Sequence, residues 1–396
     1  MFFQQQCVDI AQQLGPNLDR PLEMQPLIYF YRCCTAITWI TPLRVIGLSV
    51  VIGLGLVPDA FGEDVQFVSC QCVRLDDTAS FTDCLTESNC DSESECSNES
   101  GQFLQPNLDR LWSVSTRNIT ANACRADVKE PALSFYQISC DGCVTPTDFH
   151  QYIENLRQSR HVVVYVHGNR MRSSEAIRRG MEVYRRTKRD DRPAIDWVIW
   201  SWPSDKEGIL VGDARRKFKK LDAQGLYLSW LLRRHVECDA PTTLIGYSFG
   251  GRVITGALHA LGGGKLGGRT VPGEPITGIP FRCGLVAPAL ERYAMSRRGV
   301  HSMATQNLDR LVLMYNRRDA VLKRFWLVNR VRGTMALGYS GPGSFAPRFD
   351  GSSLPVFSRD CASTVGLQHS ELDYYRPSCC AGREMAALID DIFESK

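Results

Sequence analysis

The residues most able to do chemistry are Gly246-Tyr247-Ser248-Phe249-Gly250, directly after the apolar run Thr242-Thr243-Leu244-Ile245. A serine between two glycines, at the point where a buried strand turns into a helix, is the signature of a nucleophile elbow. The turn is sharp enough to hold the serine in a strained backbone conformation, and side chains at the flanking positions would collide with the strand and helix. Gly251 and Arg252-Val253-Ile254 continue as the first turn of that helix. Such geometry lifts the Ser248 hydroxyl above a sheet and aims a helix N-terminus at negative charge forming beside it. The five-residue pattern is not specific by itself, since roughly one chain in eight of this length would carry it by chance. Its neighbourhood adds the specificity.

A second buried strand, His161-Val162-Val163-Val164-Tyr165-Val166, ends in His167-Gly168-Asn169. The loop after a strand of this kind supplies one of two backbone N–H groups that stabilise an oxyanion; the other follows the nucleophile. That assigns Asn169 and Phe249 to the oxyanion hole, with the Asn169 and Arg170 side chains as additional donors. His167 braces this loop and does not act as a base. Serine also needs a base to take its proton and an acid to orient that base. In elbow enzymes the chain order is serine, acid, histidine. Asp319 ends the strand Leu311–Tyr315 and its turn, where it can also cap a helix from Ala320. Asp350 and Asp360 are its substitutes, both in less regular sequence. His369 is the histidine that follows Asp319, whereas His301 precedes it and breaks the order.

The elements that must position these residues alternate from residue 161 onward. Strands are predicted at 161–166, 196–201, 242–245, 281–286 and 311–315, and helices at 174–188, 221–235, 251–261, 320–331 and 383–393. Ser173 or Ser174 is the expected cap of the first helix, with Glu175 in its first turn. Such alternation implies a parallel sheet covered on both faces. Upstream, 111–115 and 134–138 have the pattern of antiparallel edge strands, followed by a short helix over 148–158. Trp200-Ser201-Trp202-Pro203-Ser204 and the polar residues through Gly225 form either a wall or lid over a substrate, or a plain connection with partly exposed tryptophans. Three regions result: a targeting segment at 1–62, a Cys-rich region with edge strands at 63–160, and a catalytic domain at 161–396. Asn-Leu-Asp-Arg recurs at 17–20, 107–110 and 307–310 without a fixed period and has no structural meaning.

The 396-residue chain has 46 basic and 43 acidic residues, a net charge of +3, and so no overall basic excess that would argue for nucleic acid. Val45–Val57 is an apolar run preceded by Arg44, too short to span a bilayer but suited to an export signal, with small residues around Ala60-Phe61-Gly62 for cleavage. The leader before it is long, and Met24 is a candidate start. Extending the apolar zone back to residues 37–40 makes it an uncleaved membrane anchor, so residues 37–57 are the candidate membrane contact. Export also fits the 16 cysteines, eight of which (Cys70, Cys72, Cys84, Cys90, Cys96, Cys124, Cys140 and Cys143) follow the signal as a disulfide framework. Cys140-Asp141-Gly142-Cys143 has zinc-ligand spacing, but no second such pair or paired histidines accompany it. No phosphate-binding P-loop or dinucleotide fingerprint occurs, and Gly262-Gly263-Gly264 follows a helix instead of a strand. No cofactor or metal is expected.

The stretches YVHGNR, WSWPS, GYSFGG, YNRRDAVL and VGLQHS together resemble the α/β-hydrolase superfamily and, within it, an uncharacterised bacterial group of serine hydrolases. The resemblance runs from about residue 161 to the C-terminus. It implies an α/β-hydrolase fold with Ser248 as nucleophile, Asp319 as acid and His369 as base. The expected activity is cleavage of an ester, or secondarily an amide, of a small-molecule or acylated substrate through an acyl-serine intermediate. Acyl transfer to an acceptor other than water uses the same residues. The competing expectation is a binding or surface-attachment module built on the same scaffold, with the Cys-rich region as the functional end.

Overall fold

A computed structural model describes residues 108–139 and 142–394. The expected targeting segment, the apolar residues 37–57, and Cys70, Cys72, Cys84, Cys90, Cys96 and Cys140 lie outside the described residues.

Among the described residues nine strands form one sheet: β1 (Arg110–Ser115), β2 (Ser134–Ile138), β3 (Val144–Thr147), β4 (Val162–Val166), β5 (Asp196–Ser201), β6 (Thr242–Tyr247), β7 (Phe281–Val286), β8 (Leu308–Tyr315) and β9 (Val356–Asp360). Their order across the sheet is β3-β2-β1-β5-β4-β6-β7-β8-β9. From β1 to β9 every pairing is parallel; β2 runs antiparallel to both β1 and β3. The central strands are buried along their whole length because both sheet faces are covered. Val162–Val166 is fully buried, and every residue of β6 is buried.

The covering helices are α1 (Phe149–Arg157), α2 (Ser173–Thr187), α3 (Leu210–Phe218), α4 (Leu221–Glu237), α5 (Phe249–Leu261), a single turn α6 (Trp326–Asn329), and α7 (Ala381–Glu394). The chain leaves β4 for β5 in one direction and β6 for β7 in the other. Right-handed crossovers then put α2 and α5 on opposite faces. Helix α4 bridges β5 to β6 in the same direction as α5 and packs beside it, while α2 and α7 pack together on the other face. Close seats fix both layers: the backbone at Gly180 of α2 lies against Ile199 of β5, and Gly284 of β7 leaves room for Met385 of α7. This is an α/β-hydrolase fold, and its strand order reverses at β4. A crevice opens at such a switch point, outside the carboxyl ends of the strands.

Several expected elements come out differently. β1 and β2 are both interior strands, β1 parallel to β5 and β2 paired on both sides; the edges are β9 and β3, where Pro146 costs no ladder bond. Arg110 anchors β1 to Asp196 at 2.7 Å and to the Asn155 amide oxygen at 2.9 Å. The described part of 63–160 therefore contributes three strands to the same sheet as the residues after 160. Helix α2 is capped by Arg172, whose N–H donates to Glu175 at 2.7 Å, so Ser173 and Ser174 lie within its first turn. The helix expected over 320–331 is reduced to a 3₁₀ turn at Leu322–Arg324 and to α6, which Arg330 ends with φ of 63°. Strand β9 was not anticipated, because its half-exposed side chains weaken any periodicity.

Trp200 and Trp202 are fully buried, so the segment after β5 is not an exposed connection. Cys124, expected within a disulfide framework, is an exposed thiol directed at Gly267 O at 3.7 Å. The disulfide among the described residues joins Cys361 and Cys379 instead.

The tightest requirement of the fold is at Gly250, where a methyl group would collide with Val166 O at the end of β4. Gly250→Ala should destabilise the chain by about 4 kcal/mol or more, the range of severe steric substitutions. Urea unfolding of the variant beside wild type checks this, and an unchanged midpoint would refute the close approach.

Candidate active site

Ser248 sits between β6 and α5 with φ 52° and ψ −118°, a left-handed conformation costly for any residue but glycine. The surroundings over-determine it. Its N–H donates to Val286 O at 3.0 Å, and its carbonyl accepts from Gly251 N at 3.1 Å and Ala289 N at 2.9 Å. At Gly246 an added methyl would sit 2.9 Å from the Gly250 backbone, so strand and helix can meet at this angle only over glycine. The serine side chain is directed out of the C-terminal edge of the sheet.

Two loops that end neighbouring strands meet it there. His369 Nε2 lies 2.9 Å from Ser248 Oγ, and His369 Nδ1 lies 2.6 Å from Asp319 Oδ2. Asp319 is fully buried, and its other oxygen accepts from Val321 N at 2.9 Å and Leu322 N at 2.8 Å. One carboxylate thus both caps the turn after β8 and holds the imidazole; the capping and orienting roles expected for this residue coexist. The substitutes lie elsewhere: Asp350 bonds Ser352 within its own turn at 2.6 Å, and Asp360 pairs with Arg317 at 2.6 Å. His301 is buried against Thr255 at 2.8 Å, and burial holds it neutral with a pKa well below the ordinary histidine range.

The loop after β4 packs directly on the elbow: a methyl at Gly168 would come 3.3 Å from Ser248 Cβ. Phe249 opens α5 and Asn169 follows Gly168, so both residues assigned to the oxyanion hole flank the serine. The side chains of that loop are occupied differently from expectation. The Asn169 amide donates to Asp213 at 3.1 Å and Arg170 lies 3.6 Å from the same carboxylate, so both face α3. Asp213 is fully buried and also takes the Glu207 N–H at 2.8 Å, with Lys217 at 3.5 Å. Helix α3 is thereby pinned across the loop. Its Phe218 lies 6.1 Å from Phe249, and Arg252 lies 4.3 Å over the Phe218 ring.

His167 is a brace. Its Nδ1 lies 2.8 Å from Gly168 O, its Nε2 3.2 Å from Trp202 N, and its ring stacks on Trp202. Burial lowers its pKa to about 3, so it stays neutral with both nitrogens engaged.

The site has supports that sequence patterns did not reveal. Tyr247 stacks on the His369 ring at 5.2 Å and donates its hydroxyl to His369 O at 3.0 Å. Asn316 donates to Gly366 O at 2.8 Å and Ala320 N to Leu367 O at 3.1 Å, stitching the acid loop to the histidine loop. The Cys361–Cys379 disulfide closes the segment that carries His369. Two cysteines bracketing the lone C-terminal histidine were the available signal. Beneath that loop Glu371 is fully buried, accepting from Tyr165 Oη at 2.9 Å with Arg179 at 3.5 Å. Burial outweighs both partners and raises its pKa to about 7.

No family model matches the sequence, and no curated protein does. Among solved structures, esterase 2 of Thermogutta terrifontis phosphoramylated by tabun aligns with 69% of this chain and 93% of its own, at 11% identity and a TM-score of 0.33. An inhibited esterase B from Lactobacillus rhamnosis aligns with 68% of this chain and 86% of its own, at 13% identity and a TM-score of 0.35.

Glu371 generates a pH signature. Its folded pKa is raised, so the stability it contributes is complete below its ordinary 4.5 and is lost as pH rises to about 7. Glu371→Gln should remove that loss. The stability of wild type relative to the variant is expected to fall by on the order of 3 kcal/mol across this window. Urea midpoints at pH values spanning the window test it, and parallel curves would contradict it.

Proposed function

We propose that this chain is a serine hydrolase that cleaves an ester bond, and secondarily an amide, through an acyl-serine intermediate. The observation that carries this reading is a single imidazole within hydrogen-bond distance of both a strained serine hydroxyl and a buried carboxylate, at 2.9 and 2.6 Å. Asp319 holds Nδ1 protonated, which leaves Nε2 free to accept the Ser248 proton. Ser248 Oγ then attacks the substrate carbonyl. The backbone N–H groups of Phe249 and Asn169 take the developing oxyanion beside the N-terminus of α5. His369 returns the proton to the leaving group, then activates water to release the acyl group and regenerate Ser248.

Membership of the α/β-hydrolase superfamily and export from the cytoplasm belong to the same proposal. The Cys361–Cys379 disulfide supports export, because such bonds persist in oxidising compartments. No described helix is long and apolar enough to cross a membrane.

A fluorophosphonate probe should label wild type, and Ser248→Ala should abolish labelling; equal labelling of both would remove Ser248 as the nucleophile. No labelling of well-folded wild type would favour a binding module on this scaffold. On a p-nitrophenyl ester, Asp319→Asn should lower kcat by about 10,000-fold through the wrong imidazole tautomer. Tyr247→Phe tests the support of His369. Losing one neutral hydrogen bond should cut kcat by roughly fivefold with KM little changed, and an unaltered kcat would show that stacking alone holds the ring.

A further inference from the structure

The mouth above Ser248 and His369 is rimmed by stretches of unusual composition. Residues 320–349 contain Lys323, Arg324, Arg330, Arg332 and Arg348 but no Asp or Glu. In the same stretch Val321, Trp326, Val331 and Met335 are 54, 43, 58 and 44% exposed. Across the mouth, Ile209 at the start of α3 is 89% exposed, and Leu367, two residues before His369, is 62% exposed. More than half of the exposed large apolar side chains among the described residues lie in these stretches.

They form one rim. Arg215 Nε donates to Leu327 O at 2.6 Å, Arg170 reaches Gly208 O at 3.5 Å, and Ala320 N donates to Leu367 O at 3.1 Å. Acidic groups nearby are engaged elsewhere: Asp319 with His369, Asp360 with Arg317, Glu207 and Asp213 with Lys217. Lys323, Arg330 and Arg332 form no ion pair among the described residues. A groove of about 420 Å³ beside Leu367 is lined by Arg317, Arg318, Lys323 and Arg324.

We propose that this rim is a docking surface for an anionic lipid bilayer. Exposed apolar side chains interleaved with unpaired cations suit a headgroup boundary, where valine, leucine and tryptophan enter the acyl region while Lys and Arg reach the phosphates. A soluble polyanion would satisfy the cations and leave Ile209, Val331 and Leu367 in water. Docked this way, the mouth of the crevice faces the bilayer. If the hydrolase reading holds, the substrate class is acyl esters resident in that bilayer; the docking itself does not depend on catalysis.

Hydrogen exchange of the full chain with vesicles of phosphatidylglycerol, with vesicles of phosphatidylcholine, and with heparin tests the proposal. Phosphatidylglycerol should slow exchange at 320–335 and around 209, in wild type and in Ser248→Ala alike. Phosphatidylcholine and heparin should not. Arg330→Glu/Arg332→Glu should weaken binding to phosphatidylglycerol vesicles by at least about 25-fold while leaving hydrolysis of a soluble ester unchanged. Should that variant fail to fold, Arg330→Gln/Arg332→Gln, which removes the two charges without reversing them, should still weaken it by about 25-fold. Three outcomes overturn the proposal: vesicle attachment without protection at 320–335, as an anchor at 37–57 would produce; equal protection by both lipids; or equal protection by heparin. Absence of esterase activity together with the expected protection would overturn the function while sparing the docking surface.

Discussion

The backbone of Ser248, forced to positive φ between β6 and α5, is the constraint on which the rest of the site depends. An L-residue held there is uphill unless neighbours fix it from several sides. Here the carbonyl of Val286 at the end of β7 and the N–H of Ala289 beyond it hold the serine peptide groups in place. The close approach of Gly250 to Val166 brings the end of β4 against the same turn. A conformation that is unfavourable in isolation is thus made by three adjacent parallel strands. Any change that separates those strands releases the hydroxyl from its position above the sheet.

The loops around the serine are fastened to one another as well as to the sheet. Asp319 satisfies the start of its own turn with one oxygen and the imidazole with the other, so the ordering of the turn and of His369 are the same event. Asn316, Ala320 and the Cys361–Cys379 link then restrict the segment carrying the histidine. A covalent closure of this size lowers the entropy of the open chain by an amount worth about 3 kcal/mol. Tyr247 occupies the position beside Ser248 and spans the remaining gap, packing on Gly168 on one side and on the imidazole on the other. Ser248, His369 and the loop after β4 therefore share one aromatic ring.

Burial divides the titratable groups near the site by task. His167 is neutral and structural because it is fully enclosed and both ring nitrogens are engaged. His369 keeps partial access to the crevice, with its side chain 13% exposed. Asp213 is buried with two cations and two N–H donors around it, and so ties helix α3 to the loop bearing Asn169. Charge that is not needed for such ties, on Lys323, Arg330 and Arg332, remains on the rim.

The sequence by itself determined the order of the elements and the identity of the three residues that meet. Buried parallel strands are continuous apolar runs, elbow glycines are demanded by sterics local to five residues, and one histidine follows Asp319. The expected helix at 320–331 and the edge character of β1 and β2 failed. Periodicity reports neither a left-handed residue such as Arg330 nor which strand a segment lies beside. The partners of Tyr247, Asn316, Glu371 and Cys361 were equally silent, because each depends on residues brought near by the sheet instead of by spacing along the chain. Only the tertiary structure decided those distances: hydrogen bonds and burial act over a few ångströms in space, whereas Ser248 and His369 stand 121 residues apart.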